Sequence, residues 1–221
     1  MSPDELPEAL RRFATRALGD APPHRRVLLE QRGEMRLAPD GRWMRMSAEQ
    51  WMATDEVAFC WHARVRMAPL VTAVVEDAFE EGHGRLDAKV WGALPVAHAE
   101  GPSVDRGEAQ RYLAELAWNP RALLVNRELR FAESPNGYVR VWTGAPATYV
   151  DLVCDEAGDI VLVSAANRPR GDEGPTPWEG RFEDYRTLGG LRVPARGEVT
   201  WLLRDGRFAY WRGEITALAL E

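Results

Sequence analysis

The sequence contains only two cysteines, Cys60 and Cys154, among its 221 residues. So few cysteines do not make a disulfide scaffold, and the pair forms no CxxC motif for a redox dithiol. A reduced, intracellular state is the simplest interpretation. The acidic N-terminus is followed by no apolar signal segment. No apolar run approaches the ~18 residues of a membrane-spanning helix, so we expect a cytoplasmic protein with no transmembrane segment.

A net positive charge and the usual cofactor motifs are also missing. The net charge of −6 argues against a nucleic-acid partner. The four histidines stand at no recognised metal-ligand spacing. The sequence has no Walker loop, no dinucleotide fingerprint and no G-x-S-x-G elbow. We therefore expect no metal and no cofactor, while the oligomeric state stays open.

By contrast, the sequence has many segments in which apolar and polar residues alternate. Between Phe59 and Met67, apolar and polar side chains alternate, as in a half-buried strand. Turns such as Pro135-Asn136-Gly137 separate similar runs, and this motif is a strong hairpin signal. The cadence predicts a mainly β (α+β) fold: a strongly curved antiparallel sheet, or open barrel, of roughly eleven strands.

Two helices interrupt this pattern. The first covers residues 4–18, where Asp4 can cap the start and Gly19 can end the helix. The predicted organisation is an N-terminal helix and linker at residues 1–22, followed by a single curved antiparallel β domain at residues 23–221. A helix at residues 105–119 is inserted into that domain. The sequence does not say where the N-terminal helix packs.

The inserted helix carries an apolar stripe and a charged stripe. Asp105 and Glu108 fit a capping box. Glu108, Arg111 and Glu115, which we call the charged stripe, share one face and can form ion pairs with one another. One interpretation is a solvated surface stripe. The other is that the stripe lines a cavity and offers a guanidinium and carboxylates to a ligand.

The hydrophobic balance favours a cavity. A single sheet of this size cannot bury an apolar face unless it curls, and the helices offer only short apolar stripes. We therefore expect a helix to cover the concave side of the sheet, a shape that often leaves a hollow.

Several other side chains are candidates for binding or chemistry. The methionines from Met35 to Met67 interleave with tryptophans, either as a plastic apolar surface or as ordinary core. Arg140 between aromatic residues could clamp an anion or ring, or lie on a wet outer face. His62 could act as a base or be a surface histidine, and Cys60 has no assignable partner. The candidate ligand-binding residues are Trp61, Arg64, Glu108, Arg111, Tyr112, Glu115, Arg140, Trp142 and Trp178. No catalytic residue can be assigned.

Several motifs resemble those of an uncharacterised bacterial family, a domain of unknown function. Residues 111–120 match its R-Y-L-A-E-L-x-W-x-P helix. Residues 177–180, 189–194 and 210–213 match its P-W-x-G, G-G-x-R-V-P and Y-W-R-G motifs. The order of elements also resembles the lipoprotein-carrier (LolA-like) fold, which implies a curved antiparallel sheet with a helical lid. Neither resemblance supplies an activity.

Three functions remain open. The leading hypothesis is a module that binds an apolar or amphipathic small molecule or lipid in a half-barrel cavity, where Arg64, Arg111 or Arg140 would hold an anionic head group. The alternative is a metal-independent acid/base enzyme that uses the charged stripe with Tyr112 or His62. The third is a structural or interaction protein that uses a sheet edge or the helix.

Overall fold

The computed structural model describes residues 5–145 and 147–221; Asp4, the predicted helix cap, lies outside them. In chain order the elements are α1 (Glu8–Leu18), β1 (Arg26–Met35), β2 (Met44–Ala53), β3 (Phe59–Ala68), β4 (Val71–Glu80), β5 (His83–Val90), β6 (Leu94–Glu100), α2 (Pro102–Ala114), α3 (Ala122–Val125), β7 (Arg130–Glu133), β8 (Val139–Trp142), β9 (Tyr149–Cys154), β10 (Ile160–Pro169), β11 (Pro175–Leu188), β12 (Leu191–Leu203) and β13 (Gly206–Leu220). A short 3₁₀ turn at Gly171–Glu173 precedes β11.

Within these residues the thirteen strands form one antiparallel sheet. Its order is β6-β5-β4-β3-β2-β1-β13-β12-β11-β10-β9-β8-β7. The first and last strands pair in the middle of the sheet, with Leu29 opposite Leu218, and β6 and β7 are its two edges. The predicted curved antiparallel architecture of roughly eleven strands is confirmed.

The alternation of β3 shows how sequence period sets the two faces of the sheet. Phe59, Trp61, Ala63 and Val65 are buried, whereas Arg64 between them is exposed. Strand β6 breaks this rule, because nearly all of its side chains are exposed. An edge strand that buries neither face has no alternation to detect, so the sequence pattern does not predict β6.

Helix α2 covers the hollow side of the sheet because of the strand order. The chain leaves the sheet at one edge, β6, and re-enters at the other, β7, so the segment between them crosses from edge to edge. Along this path α2 contacts β4, β5 and β6 on one half of the sheet and β8, β9 and β10 on the other. The predicted covering helix is therefore present.

The start of α2 differs from the predicted capping box. The helix begins after Gly101, whose φ is 103°, and Pro102 takes the first turn, where its missing N–H costs nothing. Asp105 lies inside the first turn. Its carboxylate accepts a hydrogen bond from the backbone N–H of Gly84 at 2.7 Å, which ties α2 to β5 instead of capping the helix.

Helix α1 packs on β12 and α3. Leu10 and Phe13 are fully buried, and the Phe13 ring meets Tyr185 edge to face at 6.3 Å. The helix ends at Gly19 as predicted, with φ of 49°. None of the helices in the described ranges is long and apolar enough to cross a membrane.

Candidate functional site

A cavity of about 620 Å³ lies between α2 and the sheet. Helix α2 supplies one wall with residues spaced three or four apart, which places them on one face of the helix. These residues are Ser103, Val104, Gly107, Glu108, Arg111 and Ala114, followed by Glu115 directly after the helix. The charged stripe therefore faces a buried hollow, and the interpretation of a solvated surface stripe is wrong.

Tryptophan dominates the rest of the wall. The side chains of Trp61, Trp118, Trp178, Trp201 and Trp211 line the cavity. Three of these indole N–H groups have partners: Trp61 donates to Gln31 at 2.9 Å, Trp178 to the Tyr210 hydroxyl at 3.0 Å, and Trp118 to a backbone carbonyl of β12 at 2.9 Å. Because these polar ends are satisfied, the ring faces offer apolar surface to a ligand.

A buried polar network holds α2 to the first half of the sheet. Arg111 pairs with Asp77 on β4 and donates to Glu115 at 2.9 Å. Glu115 accepts a hydrogen bond from Gln50 on β2, and Gln50 accepts one from Gln31 on β1 at 2.8 Å. Burial alone would lower the pKa of Arg111, but Glu115 and Asp77 raise it above its ordinary value. Arg111 is thus a charge fully matched by acidic partners.

Glu108 is the protonated member of the charged stripe. Burial, followed by the negative charge of Asp77, raises the pKa of Glu108 to about 8, against the opposing influence of Arg168 and Arg111. Oε2 of Glu108 and Oδ1 of Asp77 are both buried without a donor among the described residues. A side-chain interaction with Asp77 raises the pKa of Glu108 further, and a proton held between the two carboxyl groups would satisfy both atoms.

Arg168 also lines the cavity, and the sequence pattern does not predict it. Inward-facing Val163 and Ala165 on β10 would place Arg168 on the outer face if the alternation continued. The pairing of β10 with β11 shifts between Ala165 and Arg168. Such a bulge turns the following side chains over, and Arg168 is 8% exposed, with its guanidinium carbon 5.0 Å from the centre of the Trp178 ring.

Five of the nine sequence-predicted residues line this cavity: Trp61, Glu108, Arg111, Glu115 and Trp178. Tyr112 does not, although it lies on the same helix. Its hydroxyl donates to the backbone oxygen of Ala53 at 2.8 Å and accepts from Asn126 at 3.1 Å. Tyr112 is therefore a fully buried anchor of α2.

Arg64, Arg140 and Trp142 also lie outside the cavity lining. Arg64 is on the face of β3 opposite to Trp61, as alternation requires. Arg140 is exposed, and its guanidinium binds both oxygens of Asp151 at 2.7 and 2.8 Å. The alternative interpretation of a wet outer face is therefore the right one for Arg140.

The remaining candidates divide between core and outer face. Met44, Met46 and Met52 are buried in the core, so the methionine cluster is mainly ordinary core filling. Cys60 and His62 flank Trp61 and so lie on the opposite face of β3. Burial raises the pKa of the Cys60 thiol, which disfavours the reactive thiolate.

Comparison with solved structures agrees with this architecture. A putative outer membrane lipoprotein-sorting protein domain from Vibrio parahaemolyticus has a TM-score of 0.52 at 11% identity, covering 97% of this chain and 91% of the other. A DUF1329 family protein from Desulfovibrio piger gives 0.50 at 9% identity, covering 100% and 94%. A LolA superfamily protein from Nitrosomonas europaea gives 0.48 at 10%, covering 96% and 93%. The first two likenesses confirm the predicted layout, a curved antiparallel sheet with a covering helix, at the level of the fold alone.

Comparison with known sequences gives the family. No curated protein matches the chain. The model of a family of unknown function, DUF6920, matches residues 4–219, a span that contains all the motifs quoted above. Because this match covers nearly the whole sequence, the chain belongs to the DUF6920 family.

Proposed function

We propose that this protein binds one apolar or amphipathic small molecule or lipid in the cavity beneath α2. The observation that carries the proposal is a hollow of about 620 Å³ walled by five tryptophans and a few buried polar groups. Ligand sites are typically apolar clefts of ~300–1,000 Å³ with a small number of placed polar groups. The volume, the aromatic wall and the buried polar groups all fit that description.

The fold adds support. The Vibrio parahaemolyticus neighbour is described as a putative lipoprotein-sorting domain, and an acylated or otherwise lipidic ligand would suit a tryptophan-lined hollow. Fold alone does not fix function. The argument for this chain therefore rests on its own cavity residues.

Gly107 offers a direct test of occupancy. It lies in the cavity wall on α2, and a Cβ added there meets no atom within 4 Å. Gly107→Leu should therefore fill part of the cavity and exclude the ligand, while helix propensity is improved by up to about 1 kcal/mol. Gly107→Ala is the matched control, because it gains propensity but adds only one carbon.

Native mass spectrometry of gently purified protein gives the readout. We expect the wild type and Gly107→Ala to retain bound small molecules or to take up dodecanol, and Gly107→Leu to remain free of them. Equal uptake by all three proteins would place the ligand elsewhere. Failure of the wild type to bind any apolar probe would refute the proposal.

A second function is favoured by one observation, the burial of Glu108 in the cavity wall near Asp77. A carboxyl group with a pKa near 8 in a desolvated cavity is suited to general acid chemistry. Such an enzyme would return a chemically changed product. If Glu108→Gln protein retains a molecule that differs from the one recovered from the wild type by a single reaction step, the enzyme is favoured; identical molecules favour a binding module.

A further inference from the structure

Four arginines line the cavity, and three of them have acidic partners. Arg111 pairs with Asp77 and Glu115. Arg170 pairs with Glu173, and Arg181 with Glu179 at 3.1 Å. The side chain of the fourth, Arg168, forms no hydrogen bond or ion pair within residues 5–145 and 147–221, and its Nη1 is buried without a partner.

An unpaired buried cation is costly. Arg168 is 8% exposed, and a guanidinium cannot relieve the cost by losing its proton. Burying a charge without a partner costs several kcal/mol or more unless an opposite charge or hydrogen bonds compensate. The contact with the Trp178 ring at 5.0 Å compensates only part of that cost. The structure therefore holds a cation that lacks its anion.

The neighbouring carboxyl group does not supply that anion. The charge of Arg168 lowers the pKa of Glu108, yet no oxygen of Glu108 lies within ion-pair distance of the Arg168 guanidinium. Burial and Asp77 together keep a proton on Glu108 at neutral pH, since its pKa is raised to about 8. Arg168 therefore lines the cavity without a carboxylate of the described residues to neutralise its charge.

A second donor lies beside Arg168. Tyr210 lines the cavity, and its hydroxyl accepts the indole N–H of Trp178 at 3.0 Å, so its own proton is free for another acceptor. Arg168 and Tyr210 thus contact the same tryptophan, since the Arg168 guanidinium carbon lies 5.0 Å from the centre of the Trp178 ring. An oxyanion placed here could accept from both.

We propose that Arg168, assisted by Tyr210, binds the carboxylate or phosphate head of a single-chain amphiphile whose apolar part lies against the tryptophans. This inference rests on the proposed ligand-binding function. At roughly 30 Å³ for a water-sized group, a cavity of about 620 Å³ holds on the order of twenty such groups. That is enough for one twelve-carbon chain and its head group but too small for two chains of that length.

The test compares four probes with the same chain and different heads: dodecanoate, dodecyl phosphate, dodecanol and dodecylammonium. Titrations below the micelle concentration are followed by calorimetry and by the fluorescence of the cavity tryptophans. The variants are Arg168→Gln and Arg168→Lys, with Arg66→Gln as a control that removes one exposed positive charge outside the cavity. Thermal melts establish that each variant is folded.

For the wild type and Arg66→Gln we expect one or both anionic probes to bind about 10- to 100-fold more tightly than dodecanol, the usual strength of a charge-assisted contact. Arg168→Gln should bind dodecanol unchanged and lose the preference for the anion. Arg168→Lys should keep part of it, because lysine retains the charge but not the planar fork. The two anionic probes distinguish a carboxylate site from a phosphate site.

Each contrary outcome has a separate meaning. If the wild type binds dodecanol but shows no preference for either anion, or if Arg168→Gln keeps the preference, the role of Arg168 is refuted while the cavity remains a binding site. Preference for dodecylammonium would also refute it. If no probe binds to the wild type, the proposed function itself fails.

Discussion

Replacing Arg111 with methionine should destabilise the protein far more than replacing Arg140. The Arg111 side chain is 17% exposed and its partner Asp77 9%, and the same guanidinium also binds Glu115 at 2.9 Å. Arg111→Met would leave two largely buried carboxylates without their cation. Removing one partner of a buried pair costs about 3–5 kcal/mol, so we expect the free energy of unfolding to fall by about that amount.

Arg140 is a matched control because its local geometry is similar. Its guanidinium binds Asp151 at 2.7 and 2.8 Å and lies 3.8 Å from the centre of the Tyr149 ring. The side chain is 44% exposed, however, and exposed ion pairs contribute only about 0–1 kcal/mol. Arg140→Met should therefore cost no more than that.

The assay is urea unfolding at pH 7, followed by tryptophan fluorescence and analysed by linear extrapolation. A third protein, Asp77→Asn combined with Arg111→Met and Glu115→Gln, removes all three charges. It should recover much of the stability lost in Arg111→Met, since it leaves neither Asp77 nor Glu115 as a buried carboxylate without its cation. If Arg111→Met is no less stable than Arg140→Met, the polar network does not contribute in the way argued above.

Three further predictions concern groups in the cavity wall. In the folded protein Glu108, near Asp77, Arg111 and Arg168, keeps its proton up to about pH 8, whereas the unfolded chain releases it near the ordinary pKa of 4.5. The stability of the wild type should therefore decrease as the pH rises from 4.5 to about 8, relative to Glu108→Gln. Melting temperatures measured across this pH range check the prediction. Ligand-free Arg168→Met should be more stable than the wild type in urea unfolding, because an unpaired buried charge is removed. A clear loss of stability would contradict the conclusion that Arg168 has no partner in the protein. Trp118→Phe should lower the unfolding free energy by roughly 1–3 kcal/mol, since it leaves a buried carbonyl of β12 without its donor at 2.9 Å; an unchanged value in the same assay would contradict this.

The strands could be predicted from the sequence because a strand that is buried on one face has apolar residues at every second position. The run from Phe59 to Val65 shows this pattern in both sequence and structure. The start of α2 could not be placed, because Asp105 fits a capping box in sequence while its side chain is used by Gly84 of β5. The hydrogen bond between Asp105 and Gly84 joins residues that are distant in sequence, so a local sequence pattern cannot predict it.

Of the charged groups in the candidate site, the sequence predicted only those on the helical side, although it also predicted Trp61 and Trp178 on the sheet. The spacing of Glu108, Arg111 and Glu115 identifies a charged stripe, but whether it is buried depends on which strands form the edges of the sheet. The partners Asp77 and Gln50 come from β4 and β2 and carry no shared local signal. The position of Arg168 in the cavity could not be predicted because the bulge after Ala165 places it on the opposite face from the one that simple alternation assigns.

The strand order explains why α2 is largely buried from residue 107 onward, and the composition of this part of the helix then requires an explanation beyond stability. Both the fully buried Leu113 and the 9% exposed Glu108 are on this helix, and a helix buried all round is normally apolar throughout. Well-packed apolar residues would serve stability as well as a buried ionic network or better. In the network, Arg111 is neutralised by its own carboxylates and fastens the helix over the hollow. Arg168 lies on the sheet opposite α2 and has no such partner among the described residues. Its positive charge can therefore be neutralised by an anionic ligand in the cavity.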